Sequence, residues 1–227
     1  MYIVARSFFE AISYHRDPLD PKVREYSVPH PEKLSATTAT QAAEPGDLPR
    51  NHRYITTHNK DGKAIYVEEV STPLDFWDIS TADGKSARFE LAYTTHGFPV
   101  QMNKDEDLSS FKEDYAKRQE SGIVKQGGTL LRYVDLHPND TTPMHRTSSL
   151  DYGILISGSL ECLLDSGESR TIYPGDVLVQ RGTNHQWNNN TDKWVRILFV
   201  VTDAAPLDVN GARLEEDING ILVPESH

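Results

Sequence analysis

An all-β sandwich or barrel is the fold class that this sequence predicts, on three observations. Short alternating runs recur at spacings of about 8–12 residues. Glycine and proline turns separate them, as in Ser157-Gly158-Ser159, Asp165-Ser166-Gly167 and Pro174-Gly175. Helical periodicity is confined to brief stretches.

In chain order, residues 7–14 suit a short helix that Pro18 and Pro21 stop. The rest of residues 1–50, rich in Pro, Thr and Ala, reads as an N-terminal arm. It buries too little to fold alone and is expected to lie over the main domain or a neighbouring subunit. From residue 51 the pattern turns β. H-R-Y-I-T-T-H and A-I-Y-V-E-E-V predict two strands about a turn with Asp61-Gly62. A polar stretch containing Pro73, Asp83 and Gly84 leads to the strand A-R-F-E-L-A-Y-T-T, which His96-Gly97-Phe98-Pro99 ends. Over 105–119 the spacing of Leu108, Phe111 and Tyr115 predicts a short inserted helix.

T-L-L-R-Y-V-D-L then places Leu130, Arg132, Val134 and Leu136 on one face and Leu131, Tyr133 and Asp135 on the other. Further strands are expected at 152–157, 160–164, 170–173, 176–180 and 194–202. Asn184, Asn188, Asn189 and Asn190 suit side-chain turns. The main domain is thus placed at 51–205. A polar tail follows at 206–227, with Leu207, Leu214 and Ile218 as docking contacts.

Charge and composition exclude several classes. A formal net charge of −11 with no basic run excludes a nucleic-acid backbone as partner. Nowhere do about 18 consecutive apolar residues form a membrane span. The start lacks the long apolar region and cleavage site of a signal peptide. Cys162 is the only cysteine, so no intrachain disulfide forms, and an alternating run makes it a buried structural thiol. A cytoplasmic protein acting on a small molecule is the expectation.

Candidate chemistry centres on two histidines, His145 in P-M-H-R-T-S-S-L-D-Y-G and His185 in V-Q-R-G-T-N-H-Q-W-N-N. A histidine paired with a carboxylate in a barrel interior has a fixed tautomer and moves protons near neutral pH. Asp151 is the candidate carboxylate. Arg132 shares a face with three apolar residues, where a permanent charge calls for a carboxylate, phenolate or enolate opposite. Should Tyr133 face inward instead, Arg132 becomes a surface residue. Tyr93, with Thr95 and His96, stands at a strand end and can close a pocket mouth. Arg146 and Arg181 can bind anions near that mouth, and Tyr152 and Trp187 can supply aromatic walls. Ser148 and Ser149 lack the strained elbow of a serine nucleophile. Taken singly, each His or Arg reads equally as a solvated or hydrogen-bonded strand residue.

The two histidine segments resemble the paired motifs of the cupin superfamily. His145 falls on the first histidine of the first motif, Asp151 on its glutamate and Gly158 on its closing glycine. Gly175-Asp176 opens the second motif, Gly182 is its inner glycine, His185 its histidine and Asn189 its asparagine. Thr147 stands where the family has a further histidine, and the second motif lacks its proline. The resemblance implies a double-sheet jelly roll, often dimeric through strand or arm exchange. It also implies a divalent metal such as Fe, Mn or Zn held by three histidines and a carboxylate. Here at most His145, Asp151 and His185 align with those ligands, with Thr147 left to contact substrate. The segments are similar to single-domain cupins of fungal secondary-metabolite clusters, which implies an oxygenated polyketide or aromatic intermediate as substrate. Three functions stay open: a lyase or isomerase without cofactor, using His145, Asp151 and His185 as proton relay and Arg132 as anion anchor; a mononuclear metal oxygenase; and a non-catalytic small-molecule-binding cupin.

Overall fold

Alternation of side chains builds two antiparallel sheets packed face to face. The computed structural model describes residues 48–82, 86–218, 220–224 and 226. The expected arm, apart from its last three residues, and its helix therefore lie outside the described residues. In chain order the strands are β1 (Thr56–His58), β2 (Ala64–Tyr66), β3 (Trp77–Ser80) and β4 (Ser86–His96). The helix α1 (Glu106–Ala116) precedes β5 (Gly128–Leu136), β6 (Asp140–Thr141) and β7 (Ser149–Ser157). There follow β8 (Leu160–Leu164), β9 (Ser169–Ile172), β10 (Val177–Arg181), β11 (His185–Asn189) and β12 (Val195–Asp203). A last hairpin joins β13 (Leu207–Val209) to β14 (Ala212–Leu214).

The larger sheet has the order β10-β7-β12-β5-β4-β3 and the smaller β6-β11-β8-β9, the jelly roll that the motifs imply. Between them lies a core of Val134, Leu136, Leu155, Leu160, Cys162, Ile172, Trp187, Val195 and Ile197. The inserted helix forms where its periodicity places it. Its Leu108 and Phe111 are buried in a second cluster with Leu91, Leu130 and Val201. Gly158 turns β7 into β8 at φ +88°, and a Cβ there would lie 2.7 Å from Val195 Cγ2, so the position requires glycine. Among the described residues no helix is long and apolar enough to cross a membrane.

On β5, Leu130, Arg132, Val134 and Leu136 all turn inward, and Leu131 and Tyr133 are only half-buried. Asp135, on the other face, is nevertheless fully buried. Its β12 partner Arg196 donates to it from Nε at 2.6 Å and Nη2 at 2.7 Å. Arg196 also donates from Nη1 to the Pro49 carbonyl at 2.6 Å and lies 4.4 Å over the Phe76 ring. Two charges with no exposure persist because a bidentate fork and extra acceptors replace their water.

Three expectations are corrected. The polar stretch before β4 contains a strand, β3, whose Trp77 packs edge-on against Phe89. Asn188 is a strand residue of β11 and forms no side-chain turn, whereas Asn189, also in β11, does. Asn189 is buried, and its amide donates to the carbonyls of His137 and Lys193. Its Oδ1 accepts from the Thr191 backbone, so the side chain organises a turn from within the strand. The tail carries the β13–β14 hairpin and then crosses back over the domain.

Removing one partner of the Asp135–Arg196 pair strands a buried charge. Arg196→Met is expected to cost about 3–5 kcal/mol, and adding Asp135→Leu should restore most of it. The midpoint of urea unfolding for wild type, single and double variants checks this.

Candidate functional site

One bridge between chain segments creates the site. His145 N–H donates to the His185 carbonyl at 2.8 Å, and His185 N–H donates back at 2.9 Å. Residues directly opposite in such a pair project to the same side. The two imidazoles therefore lie together, ring centroids 4.2 Å apart. Trp187, two residues along β11, shares that face and meets His185 edge-on. Asp151 enters from β7 and Arg132 from β5, opposite Phe199. Together with Thr147 these residues line a cavity of about 90 Å³ whose other walls are mainly apolar, among them Phe89, Val134, Phe199 and Ile221.

The polar groups of this cavity are held in definite states. His145 Nδ1 is 2.8 Å from the Pro143 carbonyl and His185 Nδ1 is 3.0 Å from that of Thr183. A carbonyl only accepts, so each Nδ1 carries the proton and each Nε2 is left a bare acceptor. Burial pulls both imidazoles down, His185 to about 3 with His145 beside it as a further cause. Both are neutral at physiological pH. Thr147 receives a hydrogen bond from Ser149 Oγ at 2.7 Å and donates to Asp151 Oδ2 at 3.4 Å. Asp151 Oδ1 is buried with no hydrogen-bond partner among the described residues. Burial raises this carboxyl to about 6, opposed only by the hydroxyls of Ser149 and Thr147.

Arg132 is 2 % exposed. Its Nη2 donates to Ser121 Oγ and the Gly122 carbonyl, both at 3.1 Å, and the guanidinium lies 4.6 Å over the Phe89 ring. Nε and Nη1 have no partner among the described residues. Burial lowers it to about 10, against the pull of Glu90, so it stays charged at neutral pH. The cavity thus holds a buried cation with free donors, a carboxyl with a free oxygen, and two neutral imidazoles.

The structure brings His145, Thr147, Asp151, His185, Arg132 and Trp187 to this cavity but not the other candidates. Tyr93 is turned away by a bulge in β4 between Leu91 and Tyr93. It pairs with Leu131, on the face opposite Arg132, where its hydroxyl donates to Asp107 at 2.8 Å and its ring packs on Phe111. Tyr152 follows inward-facing Asp151 in the same strand, so alternation turns it out, 41 % exposed. Arg146 and Arg181 lie along a separate shallow groove, and Arg146 Nε donates to the Glu215 carbonyl at 2.8 Å. Asp151 contacts neither imidazole through a hydrogen bond, so the expected histidine–carboxylate pair is replaced by backbone acceptors. Sequence reasoning missed Phe89, Ile123 and Ile221. Phe89 was visible in the alternation of its strand, whereas no local pattern marks the other two.

The family model described as "Cupin domain" matches residues 132–201. "Oryzines biosynthesis cluster protein J" of Aspergillus oryzae is 38 % identical over 176 residues, which are 77 % of this chain and 95 % of that protein. The chain is a cupin. "Phomopsin biosynthesis cluster protein D" of Diaporthe leptostromiformis is 37 % identical over 176 residues, 77 % of this cupin and 90 % of the relative. "Cupin-domain-containing oxidoreductase virC" of Hypocrea virens is 40 % identical over 167 residues, with 72 % and 81 % covered.

The family implies a metal, and the residues of this cupin meet that expectation only in part. Both imidazoles are in the tautomer that a ligand through Nε2 needs, each fixed by a backbone carbonyl. The third donor is missing. Thr147 replaces an imidazole, and its hydroxyl is engaged with Asp151. His96 is held by Asp114 at 2.8 Å, and His137 stacks on Trp194. Among the described residues no three His, Cys, Asp or Glu side chains come close enough to hold an ion. The side chains present do not make up the centre that the family implies.

The raised Asp151 carboxyl makes stability depend on pH. Its contribution is fully present below the unfolded value near 4 and is lost as pH rises through about 6. Asp151→Asn, which keeps an acceptor for Thr147, should therefore stabilise the protein at pH 7 by up to about 3 kcal/mol. It should also flatten the stability profile between about pH 4 and pH 6, as measured by chemical denaturation across that range.

Proposed function

We propose that this cupin catalyses proton transfer on a small oxygenated molecule of secondary metabolism, by a lyase or isomerase-type reaction. The observation that carries this reading is the pairing, in one apolar cavity, of Arg132 with two free donors and Asp151 with a free oxygen. Asp151, raised to about 6, is ionised at neutral pH yet poorly solvated, which suits a general base. It takes a proton from carbon α to a carbonyl, and the electron pair moves onto the carbonyl oxygen. Arg132 holds that oxygen as an enolate in a site with little water. The proton now on Asp151 is then returned, either to the γ-carbon of a conjugated enolate, which isomerises the substrate, or to a departing β-hydroxyl, which leaves as water and completes an elimination. His145 and His185, neutral and proton-free at Nε2, accept hydrogen bonds from substrate hydroxyls. The proton-carrying role expected of the imidazoles thus passes to Asp151, because burial leaves His185 too weak a base.

Three relatives belong by name to biosynthesis clusters, which supports a secondary metabolite as substrate. A second reading, oxidation, is favoured by the relatives named oxidoreductases. Elemental analysis of protein purified without chelator separates the two readings. Stoichiometric iron with oxygen-dependent turnover would establish oxidation and remove the proton-transfer reading.

The direct test is deuterium uptake α to the carbonyl in a panel of aryl ketones in D2O, followed by NMR. Uptake should rise with pH through about 6 and fall about 10²–10⁴-fold in Asp151→Asn. Arg132→Met should show a comparable loss. Unchanged exchange in Asp151→Asn rules out Asp151 as the base.

A further inference from the structure

We infer that residues 217, 218, 220–224 and 226 belong to a strap across the cavity, and that Ile221 on this strap sets the size of ligand the cavity admits. The inference rests on the cavity being the binding site of the proposed reaction.

The strap is fastened on both sides of the candidate machinery. At one end Asp217 exchanges backbone hydrogen bonds with Arg146, the neighbour of His145, at 2.7 and 2.8 Å. In the middle Ala82 N–H donates to the Gly220 carbonyl at 2.8 Å, and Leu222 N–H donates to the Ser80 carbonyl at 3.0 Å. This stitches the strap to the end of β3, with Ile221 opposite Thr81. At the far end Ser226 Oγ accepts from Val124 N–H at 3.2 Å and donates to Glu216 at 3.0 Å. Gln126 donates to the Ser226 carbonyl at 3.2 Å. That end therefore lies against the segment whose Ser121 and Gly122 aim Arg132. Gly220, at φ +89°, lets the strap pass close to Pro143, where a Cβ would come within 3.1 Å of the proline ring.

Ile221 is thus carried to the lining of the cavity that holds His145 and Arg132 by backbone contacts that its own side chain does not make. Strands of the jelly roll supply most of the other apolar walls, and changing those disturbs the core, whereas Ile123 and Pro143 come from connecting segments. Ile221 belongs to no core cluster among the described residues, and within about 90 Å³ one branched side chain is a large part of the available wall. It is a position at which ligand size can be set at little cost to the fold.

The test uses two phenols that can place an anionic oxygen on Arg132, 4-nitrophenol and the wider 4-nitro-1-naphthol, titrated through their phenolate absorbance. Wild type should prefer the smaller, and Ile221→Ala should shift the ratio of dissociation constants toward the naphthol by about tenfold. Ile221→Trp should weaken both. Ile221→Val, the mildest truncation, should move the ratio the same way and serves if a larger change unfolds the chain. Retained exchange protection of the Arg146 and Ala82 amides shows that the strap is in place. A shift of less than about threefold in the ratio for the folded variant overturns the inference. So does the lack of saturable binding by wild type. Arg132→Met keeps the two readings apart. If it leaves both affinities unchanged while Ile221→Ala alters the ratio, the anion anchor fails and the strap stands. Loss of binding in Arg132→Met with an unaltered Ile221→Ala ratio removes the strap alone.

Discussion

The reciprocal backbone hydrogen bonds between His145 and His185 are the constraint on which the site depends. They join a segment that leads into the larger sheet to the start of a strand in the smaller one. With that register fixed, alternation does the rest. It sends Trp187 inward beside His185, and it sets Thr147 near the pair. The imidazoles are not aimed by a carboxylate. Two backbone carbonyls hold them, and such acceptors cannot be lost by mutation of a side chain. The tautomer is therefore a property of the fold.

Around that bridge the cavity brings together two buried charged groups, Arg132 and Asp151, each with an atom that has no partner among the described residues. Asp135 and Arg196, equally buried, satisfy one another through two short hydrogen bonds. Arg132 and Asp151 do not pair in this way, although both line one cavity. An unmade hydrogen bond of a charged group costs more than one of a neutral group, and the cost grows in an apolar surround. A ligand with an anionic oxygen and a transferable proton supplies both missing contacts. Thr147 contributes to this imbalance. A hydroxyl in place of an imidazole removes a metal donor and leaves Asp151 facing only the neutral hydroxyls of Ser149 and Thr147.

Much of this was legible in the sequence where local rules act alone. The face of β5 that carries Arg132 follows from period-2 alternation, and α1 follows from the spacing of Leu108 and Phe111. His145, Asp151 and His185 reach one cavity as the paired motifs imply, though not as a set close enough to hold an ion. What failed depended on contacts distant along the chain. Tyr93 is displaced by a bulge that no residue in its strand announces. Arg146 and Arg181 are drawn to a groove shaped by the tail. Tyr152 was excluded by the alternation that admits Asp151, so that error was avoidable. Asn188 has turn chemistry that pairing with β8 and β6 overrides, whereas Asn189 keeps its side-chain turn from inside the strand.

The Asp135–Arg196 pair also bears on how the chain comes to fold. Its partners are 61 residues apart, and the Pro49 carbonyl that completes the guanidinium's set is 147 residues from Arg196. During synthesis Asp135 leaves the ribosome well before Arg196, the buried cation that grips it through two hydrogen bonds, exists. The larger sheet therefore cannot close over that face until β12 has been made. Contacts of such long range slow folding, because loop closure precedes any return from the contact. Until then the edges of β5 and β7 that β12 joins lack their neighbour, and the nascent chain is exposed to mispairing for as long as translation of the intervening strands takes.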